Sequence, residues 1–255
     1  MAQAVHPVQP IRPAATVIIV RDVGDPFEIF MLRRTSSAAF AGGMYVFPGG
    51  RVDGEDHLHA YDAIRRGPSD DQQAQQRALG TEWRGYWVAG IRETFEEAGL
   101  LLAYRGNGRK TELLAYADEA IRARFDEYRH AVHGKSVTLR EVCQRESLHL
   151  AVDRIHYFNR WVTPLGRPRR FDTRFFIAEA PLGQTGQHDD KETDRSIWIS
   201  PAEALARNSS DEFGLMAVTR LQLQTLAEFS SMAALHESIS TQTRFPIHRP
   251  VAPRD

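Results

Sequence analysis

The sequence contains a single cysteine, Cys143, among its 255 residues. One thiol cannot form an internal disulfide, and it has no second thiol with which to build a zinc cluster. We therefore expect a protein of a reducing compartment, the cytoplasm. Helix-like residues surround Cys143, which favours an inert packed or surface thiol over a reactive one.

Long apolar runs are also absent. No stretch approaches the roughly 20 apolar residues that span a bilayer, and residues 1–13 lack the apolar centre of a signal peptide. Residues 252–255 match no lipidation or organelle signal. We therefore expect a soluble, unexported protein with no membrane partner.

The chain has no excess of charge of either sign, because its formal net charge is -1 and its pI is about 6.8. So little net charge offers no basic field that would hold a polyphosphate backbone, and we expect no nucleic-acid partner. Hydrophobic residues make up 42% and charged residues 25%, which is typical of a folded soluble protein. A chain of this length can bury a full core.

Neither an internal repeat nor a Gly-Ser-rich linker divides the chain, and strand-like and helix-like segments alternate along it. Short β-branched, apolar segments at 15–20 and 27–32 flank a Gly-Asp-Pro turn and predict a hairpin. An amphipathic segment at 87–100 predicts a helix that ends at Gly99. Further strands are expected at 44–47, around Trp161, at 174–180 and at 196–199, and further helices at 113–128, from Pro201 and at 215–233.

A polar segment rich in Asp, Gln and Arg follows the first strands, and its composition is typical of a surface insertion. Because strands and helices are interleaved, we predict one α/β domain rather than two. The domain spans 13–240, the insertions lie at about 57–84 and, in helical form, at about 111–155, and extended tails take 1–12 and 241–255.

Three glutamates cluster in the predicted helix at 87–100. Glu93, Glu96 and Glu97 stand at offsets of zero, three and four, which places them on one helix face. Three close carboxylates repel one another, and a hard divalent cation such as Mg2+ or Mn2+ accepts oxygen ligands of this kind. A solvated acidic face is the alternative interpretation. The preceding glycine turn at 48–50 and the apolar opposite face of the helix favour metal binding.

Part of the chain resembles the Nudix box, whose pattern is Gly, five residues, Glu, seven residues, then Arg-Glu-aliphatic-any-Glu-Glu-any-Gly-aliphatic. The second half matches from Arg92 onward, with Thr94 where an aliphatic residue is usual. The first half is interrupted, because 42 positions separate Gly50 from Arg92 where the pattern has 14. The early glutamate position falls on Asp56 by strict count, or on Glu55 if the loop is one residue shorter.

The split box is similar to that of the Nudix branch that includes an animal peroxisomal coenzyme A diphosphatase. The stretches 40–50, 159–164 and 168–176 resemble the same branch, so the resemblance extends over about 13–235. It implies an α/β (α+β) fold, namely a Nudix-type α/β/α sandwich with a mixed sheet, a helical insertion and a C-terminal helix. It also implies metal-dependent hydrolysis of a phosphoanhydride in a nucleoside diphosphate-linked small molecule.

Within this resemblance, CoA or an acyl-CoA is the expected substrate, with adenosine 3',5'-bisphosphate and a 4'-phosphopantetheine as products. ADP-ribose, a dinucleotide or a nucleotide sugar is the alternative, because the box determines the chemistry more than the substrate. A non-catalytic nucleotide-binding regulator is a third interpretation, which the intact glutamate triad disfavours. Members of the family often dimerise, so a homodimer is among the arrangements implied.

The resemblance also assigns roles to individual residues. Glu93, Glu96 and Glu97 would be metal ligands, and Glu93 or Glu96 would be the general base. Arg92 would orient a carboxylate. The late loop offers three acidic candidates for a further metal ligand, Glu192 first, then Asp190 and Asp194.

Two groups of arginines are candidates for substrate binding. Arg33 and Arg34 end a predicted strand just before the glycine turn, and a guanidinium can grip a phosphate through paired hydrogen bonds. A second cluster, Arg167, Arg169 and Arg170, would meet a ribose 3'-phosphate. Solvated surface charge is the alternative for both groups. The predicted substrate contacts are Arg33, Arg34, Arg170 and the turn glycines Gly49 and Gly50.

Overall fold

The structure is a computed structural model that describes residues 9–38, 41–106 and 112–251. Residues 1–8 of the predicted N-terminal tail, 111 of the predicted helical insertion and 252–255 of the predicted C-terminal tail lie outside the described part. No helix within the described ranges is long and apolar enough to cross a membrane.

Strands and helices alternate along the described chain, as predicted. The strands are β1 (Ile11–Arg21), β2 (Glu28–Arg34), β3 (Tyr45–Val46), β4 (Gly49–Arg51), β5 (Arg65–Arg66), β6 (Ala103–Arg105), β7 (Leu148–Ala151), β8 (Ile155–Val162), β9 (Arg170–Glu179), β10 (Thr193–Ile199) and β11 (Ile247–His248). The helices are α1 (Gln73–Leu79), α2 (Trp83–Ala98), α3 (Glu119–His133), α4 (Leu139–Arg145), α5 (Pro201–Ser209), α6 (Ala217–Leu226) and α7 (Met232–Thr241).

A mixed sheet forms the centre of the fold. Its strand order is β10-β2-β1-β9-β8-β11, with β3 beside β2 and β4 beside β1. β1 runs parallel to β9, and β11 runs parallel to β8, whereas the other pairs in this sheet are antiparallel. The predicted hairpin is present, since Val20 of β1 pairs with Ile29 of β2. A smaller sheet has the order β5-β7-β6.

Helices cover both faces of the main sheet. Alternate residues of a strand point to opposite sides, so a strand with apolar residues at successive positions needs a cover on each face. Val17 and Ile19 of β1 pack in one buried cluster with Trp87 of α2. Ile18 and Val20 pack in a second cluster with side chains of α5, α6 and α7. β1 is therefore apolar on both faces, as expected for a strand in the middle of a sheet. This arrangement confirms the predicted α/β/α sandwich.

Helix α2 carries the predicted carboxylates and begins at Trp83, earlier than the predicted residue 87. It ends at Gly99, as predicted, and the φ of 69° at this glycine is the left-handed conformation common after a helix. Gly90 faces the sheet, and a Cβ there would lie 3.1 Å from Cγ2 of Val17. The absence of a side chain at Gly90 thus lets α2 pack closely on β1.

The polar segment between β4 and α2 lies mostly at the surface, but two of its polar side chains are buried. Gln72 and Gln75 are buried, and their side chains bond to the backbone around β8. The Gln72 amide donates to the carbonyls of Val152 and Ile155 at 2.9 Å each. Oε1 of Gln75 accepts from the N–H of Tyr157 at 2.6 Å. Part of the polar composition is therefore structural, because it satisfies buried backbone groups.

Two helix predictions are wrong in their bounds. The helix predicted at 113–128 is α3, which begins after Asp118, whose side chain accepts from the N–H of Ile121 as an N-cap. The helix predicted at 215–233 is instead two helices, α6 and α7, and Ser231 caps the second. The C-terminal segment predicted as an extended tail contributes β11, which pairs with β8.

Arg129 joins α3 to the C-terminal end of α2. Its buried guanidinium donates to the carbonyls of Glu96, Glu97 and Gln187 at 2.7 to 2.9 Å. The first two carbonyls belong to the last turn of α2, where no intrahelical N–H is available to them. A cation also interacts favourably with the negative end of a helix dipole. Arg129 therefore fixes the end of the helix that carries the carboxylates.

Replacing Arg129 with Met is expected to lower the free energy of unfolding by at least about 3 kcal/mol, because buried carbonyls lose a charged donor. Urea denaturation followed by circular dichroism measures the change. Arg122→Met on the same helix is the matched control, since Arg122 is exposed and pairs with Glu119 at the surface. Its loss is expected to cost less than about 0.5 kcal/mol. Equal losses in the two variants would contradict an anchoring role for Arg129.

Candidate active site

The glycine turn before the interrupted box lies against both β1 and α2. Gly49 pairs with Thr16, and Gly50 pairs with Ala15. A Cβ at Gly49 would lie 2.6 Å from the carbonyl oxygen of Ala15. A Cβ at Gly50 would lie 2.5 to 2.7 Å from the carboxylate group of Glu93. Neither position has room for a side chain, so the two glycines let a carboxylate of α2 approach the turn backbone.

Arg92 lies at the centre of the acidic cluster. Its Nη1 donates to Glu93 at 2.8 Å and to Glu96 at 3.0 Å. Its Nε and Nη2 donate to the two carboxylate oxygens of Asp56 at 3.0 and 2.9 Å, and Nη2 also donates to the carbonyl of Arg51 at 2.8 Å. One guanidinium therefore holds two carboxylates of α2 and the segment that follows β4 in a single network.

The two candidates for the early acidic position of the box have different surroundings. Asp56 is fully buried and makes a bidentate contact with Arg92. Glu55 lies closer to the surface, with its Oε1 3.9 Å from Nε of Arg140. Asp56 is therefore the acid that contacts the second half of the box, through Arg92. It is also the residue on which the early acidic position falls when the Nudix pattern is counted from Gly50.

Glu97 is buried beside the glycine turn and accepts a hydrogen bond from the N–H of Gly49 at 3.0 Å. Burial raises the pKa of Glu97 well above its usual value, and the charge of Glu93 raises it further. Burial also raises the pKa of Glu93, against the opposing effect of Arg92. A buried and a half-buried carboxylate that repel each other in this way are a donor set that suits a hard divalent cation.

The carboxylates of α2 are held by protein donors in this structure. Within the described residues, no three His, Cys, Asp or Glu side chains converge in the arrangement of a metal site. The physical reason is that Glu93 and Glu96 both turn toward Arg92, while Glu97 turns toward Gly49. The chemistry of these residues fits a cation, and an ion would compete with Arg92 for two of the carboxylates.

The late loop presents its three acidic candidates differently. Glu192 lies with Oε2 3.5 Å from Nη2 of Arg34, and its charge contributes to raising the pKa of Glu97. Asp194 accepts a hydrogen bond from Nε of Arg33 at 2.7 Å. Asp190 pairs with His188 and is largely exposed. Glu192 is therefore the candidate whose surroundings connect it to the acidic cluster.

Asp189 shapes this loop and is absent from the residues that the sequence singled out. Its buried carboxylate accepts from the backbone N–H groups of Lys191, Glu192 and Thr193 and from the Thr193 hydroxyl. Burial alone would raise the pKa of Asp189, but these hydrogen bonds lower it below its usual range. An Asp that precedes several backbone donors in a polar loop is a turn signal that would have identified it.

Arg33 and Arg34 are adjacent on β2 and therefore point to opposite faces of the sheet. Arg33 pairs with Asp194. Arg34 lies near Glu192, and its charge lowers the pKa of Glu97. Nε of Arg34 is buried and has no hydrogen-bond partner among the described residues. The Arg34 guanidinium is thus the cation of β2 that lies beside the acidic cluster.

Arg170 lies at the start of β9, where it pairs with Ile11 in the parallel ladder. Its Nε donates to the carbonyl of Thr163 at 3.3 Å, and its Nη1 donates to the carbonyl of Gln9 at 3.2 Å. The β1 partner of Arg170, Ile11, is four residues before Ala15, which is the β1 partner of Gly50. These hydrogen bonds join Arg170 to the backbone, and its contact with the substrate stays a prediction.

A family model described as the NUDT19 Nudix domain matches residues 63–222. The chain belongs to this Nudix family. The matched range contains Arg92 and the three glutamates, which form the second half of the Nudix box.

Two curated relatives show how far the similarity extends. The acyl-coenzyme A diphosphatase NUDT19 of Gallus gallus is 30% identical over 243 residues, which cover 83% of this chain and 64% of that protein. The acyl-coenzyme A diphosphatase NUDT19 of Homo sapiens is 26% identical over 249 residues, covering 83% and 63%. The chain therefore spans less than two thirds of the length of these relatives.

A solved Nudix structure has a similar fold. The crystal structure of a NUDIX hydrolase from Alicyclobacillus acidocaldarius superposes with a TM-score of 0.70 at 25% sequence identity. The superposition covers 91% of this chain and 98% of that one. The α/β/α arrangement is thus that of a Nudix fold over nearly the whole chain.

Gly50→Ala is expected to leave the fold intact and to lower Nudix hydrolase activity about 100-fold, because the new methyl group displaces the Glu93 carboxylate. Steady-state kinetics and a thermal melt measure the two effects. Gly214→Ala is the matched control, since a Cβ at Gly214 would make only ordinary van der Waals contacts at 3.6 to 3.7 Å. Full activity of Gly50→Ala would show that the position of Glu93 does not depend on this glycine.

Asp56→Asn is expected to lower the free energy of unfolding by about 3 kcal/mol, because the guanidinium of Arg92 loses a buried ionic partner. Glu55→Gln is the neighbouring control and is expected to cost less than about 0.5 kcal/mol. Urea denaturation of the two variants measures the difference. A larger loss for Glu55→Gln would assign the early acidic position to Glu55.

Proposed function

We propose that this chain is a metal-dependent hydrolase that cleaves the diphosphate of CoA or an acyl-CoA. The products are adenosine 3',5'-bisphosphate and 4'-phosphopantetheine or its acyl derivative. The observation that carries the proposal is the carboxylate cluster of α2, in which Arg92 holds Glu93 and Glu96 and the N–H of Gly49 holds Glu97. The choice of substrate is supported by the similarity to the chicken and human proteins, which are named acyl-coenzyme A diphosphatases.

Mg2+ or Mn2+ is the proposed cofactor. A bound ion of this kind withdraws charge from phosphate oxygens and lowers the pKa of a water molecule. The buried, mutually repelling carboxylates support this choice, because a divalent cation would neutralise them. The proposed ligands are Glu93, Glu96 and Glu97 from α2 and Glu192 from the late loop.

The reaction adds water across the phosphoanhydride. The water oxygen bonds to one phosphorus, the bridging P–O bond breaks, and the leaving phosphate keeps the bonding electron pair. Glu93 and Glu96 are the candidates to accept the water proton, because Nη1 of Arg92 holds both carboxylates side by side. The N–H of Gly49 orients Glu97, and Arg34 is the proposed donor to a phosphate oxygen.

The proposed enzyme acts on a small nucleotide-linked substrate in the cytoplasm. The compartment is supported by Cys143, which is buried in α4 and has no second cysteine with which to pair. Burial raises the pKa of the Cys143 thiol to about 12, so the thiol is inert at neutral pH and contributes packing only.

The experiment incubates the purified chain with Mg2+ or Mn2+ and a panel of CoA, acyl-CoAs, ADP-ribose and NADH, and separates the products by liquid chromatography. The wild type is expected to release adenosine 3',5'-bisphosphate from CoA. Glu97→Gln is expected to lose at least about 100-fold in rate, because the amide still accepts from Gly49 but carries no charge. Glu127→Gln, at an exposed position of α3, is the matched control with expected wild-type activity.

The possible outcomes distinguish an error in the identity of the substrate from an error in the type of reaction. Release of AMP from ADP-ribose or NADH, with no product from CoA, would keep Nudix hydrolysis and reject the CoA substrate. Absence of product from every member of the panel with either metal would favour a nucleotide-binding regulator. Equal activity of Glu97→Gln and the wild type would reject the assigned carboxylates.

A further inference from the structure

A cavity of about 380 Å³ lies beside the carboxylate-bearing face of α2. Three pieces of chain line it, at residues 53–61 after β4, at 92–96 in α2, and at 132–139 around the turn between α3 and α4. Its volume is within the roughly 300–1,000 Å³ of small-molecule sites. The cavity is therefore large enough to hold part of a substrate whose diphosphate lies at α2.

Two ion pairs hold the walls of the cavity together. Nζ of Lys135 donates to Oδ2 of Asp53 at 3.0 Å. Nε of Arg140 lies 3.9 Å from Oε1 of Glu55. Both pairs join the segment that follows β4 to the region of α3 and α4. Both parts of the chain are therefore needed to form the walls of the cavity.

Negative charge exceeds positive charge among the described residues that line the cavity. A negative field disfavours a further phosphate group. The half of CoA that bears the 3'-phosphate therefore has the wrong charge for this cavity. The charged lining consists of four carboxylates and two cations, namely Asp53, Glu55, Asp56, Glu96, Arg92 and Lys135.

The remaining wall of the cavity is largely apolar. Val132, Val137 and Leu139 contribute it, and Tyr61 adds an aromatic side chain. Such a wall packs against methyl and methylene groups, while nearby carboxylates accept hydrogen bonds from amide N–H and hydroxyl groups. The pantetheine arm of CoA is a neutral chain of amides, a hydroxyl and methyl groups, and it matches both parts of the lining.

Arg92 and Glu96 connect the cavity to the carboxylate cluster. Both residues line the cavity, and Nη1 of Arg92 also donates to Glu93. Glu93 in turn lies against the glycine turn at Gly50. A diphosphate bound at these carboxylates would thus have one of its two substituents directed toward the cavity.

We propose that this cavity binds the pantetheine arm of the substrate and excludes the nucleotide half. The inference rests on the proposed function for the identity of the substrate. Size, charge and the apolar wall all select the neutral arm, and the shared residues Arg92 and Glu96 place the cavity beside the proposed site of cleavage.

Gly54 permits a direct test, since it lines the cavity and a Cβ there meets no described atom within 4 Å. Gly54→Phe adds an aromatic side chain at the cavity wall, whereas Gly54→Ala adds one methyl group and is the matched control. Isothermal titration calorimetry in Mg2+ measures binding of 4'-phosphopantetheine and, separately, of adenosine 3',5'-bisphosphate. We expect Gly54→Phe to raise the Kd of 4'-phosphopantetheine at least about 10-fold and to change that of the bisphosphate less than about 2-fold.

Val137→Phe narrows the cavity from the opposite wall and is expected to have the same selective effect. Thermal melts of all variants verify folding. The assignment would be overturned if the wild type did not bind 4'-phosphopantetheine, or if both Phe variants bound it with wild-type affinity. It would also be overturned if the Phe variants lost binding of the bisphosphate instead. CoA hydrolysis with unaltered 4'-phosphopantetheine binding would reject this inference alone. Selective loss of 4'-phosphopantetheine binding without any CoA hydrolysis by the wild type would reject the proposed function alone.

Discussion

The guanidinium of Arg92 is the interaction on which the rest of the site depends. It binds Asp56 on one side and Glu93 and Glu96 on the other, and it also donates to the carbonyl of Arg51. Buried carboxylates are costly unless they are paired and hydrogen-bonded, and one cation here offsets acids from two separate segments. The segment after β4 and the helix α2 therefore stabilise each other, and neither half of the interrupted box has its native surroundings without the other.

The helix that carries the carboxylates is constrained at both its middle and its end. Gly90 brings α2 close to Val17 of the sheet, and Arg129 binds the carbonyls of its last turn. The N–H of Gly49 then holds Glu97 from the side of the turn. Groups that act on charged substrates work best when their positions are set before binding, and these contacts provide such preorganisation for the acidic cluster.

Local signals in the sequence predicted the helix ending at Gly99, the hairpin and the glycine turn, because periodicity and glycine conformations act over a few residues. Composition did not reveal that Gln72 and Gln75 are buried, because a buried glutamine cannot be distinguished from a surface glutamine in a polar segment. The choice between Asp56 and Glu55 needed the tertiary contact with Arg92. Arg129 illustrates the same limit, because backbone carbonyls distant in sequence are its partners and no residue pattern encodes these.

The amide hydrogen bonds of Gln72 and Gln75 reach across 80 and 82 positions of sequence to the backbone around β8. Contacts of such separation form only after long loops have closed, which is slow and depends on the rest of the fold. The segment inside the box therefore acquires its place only together with β8, and the acidic cluster assembles as part of a cooperative whole. A shortened chain that lacked β8 would carry every residue of the Nudix box and still hold no assembled site.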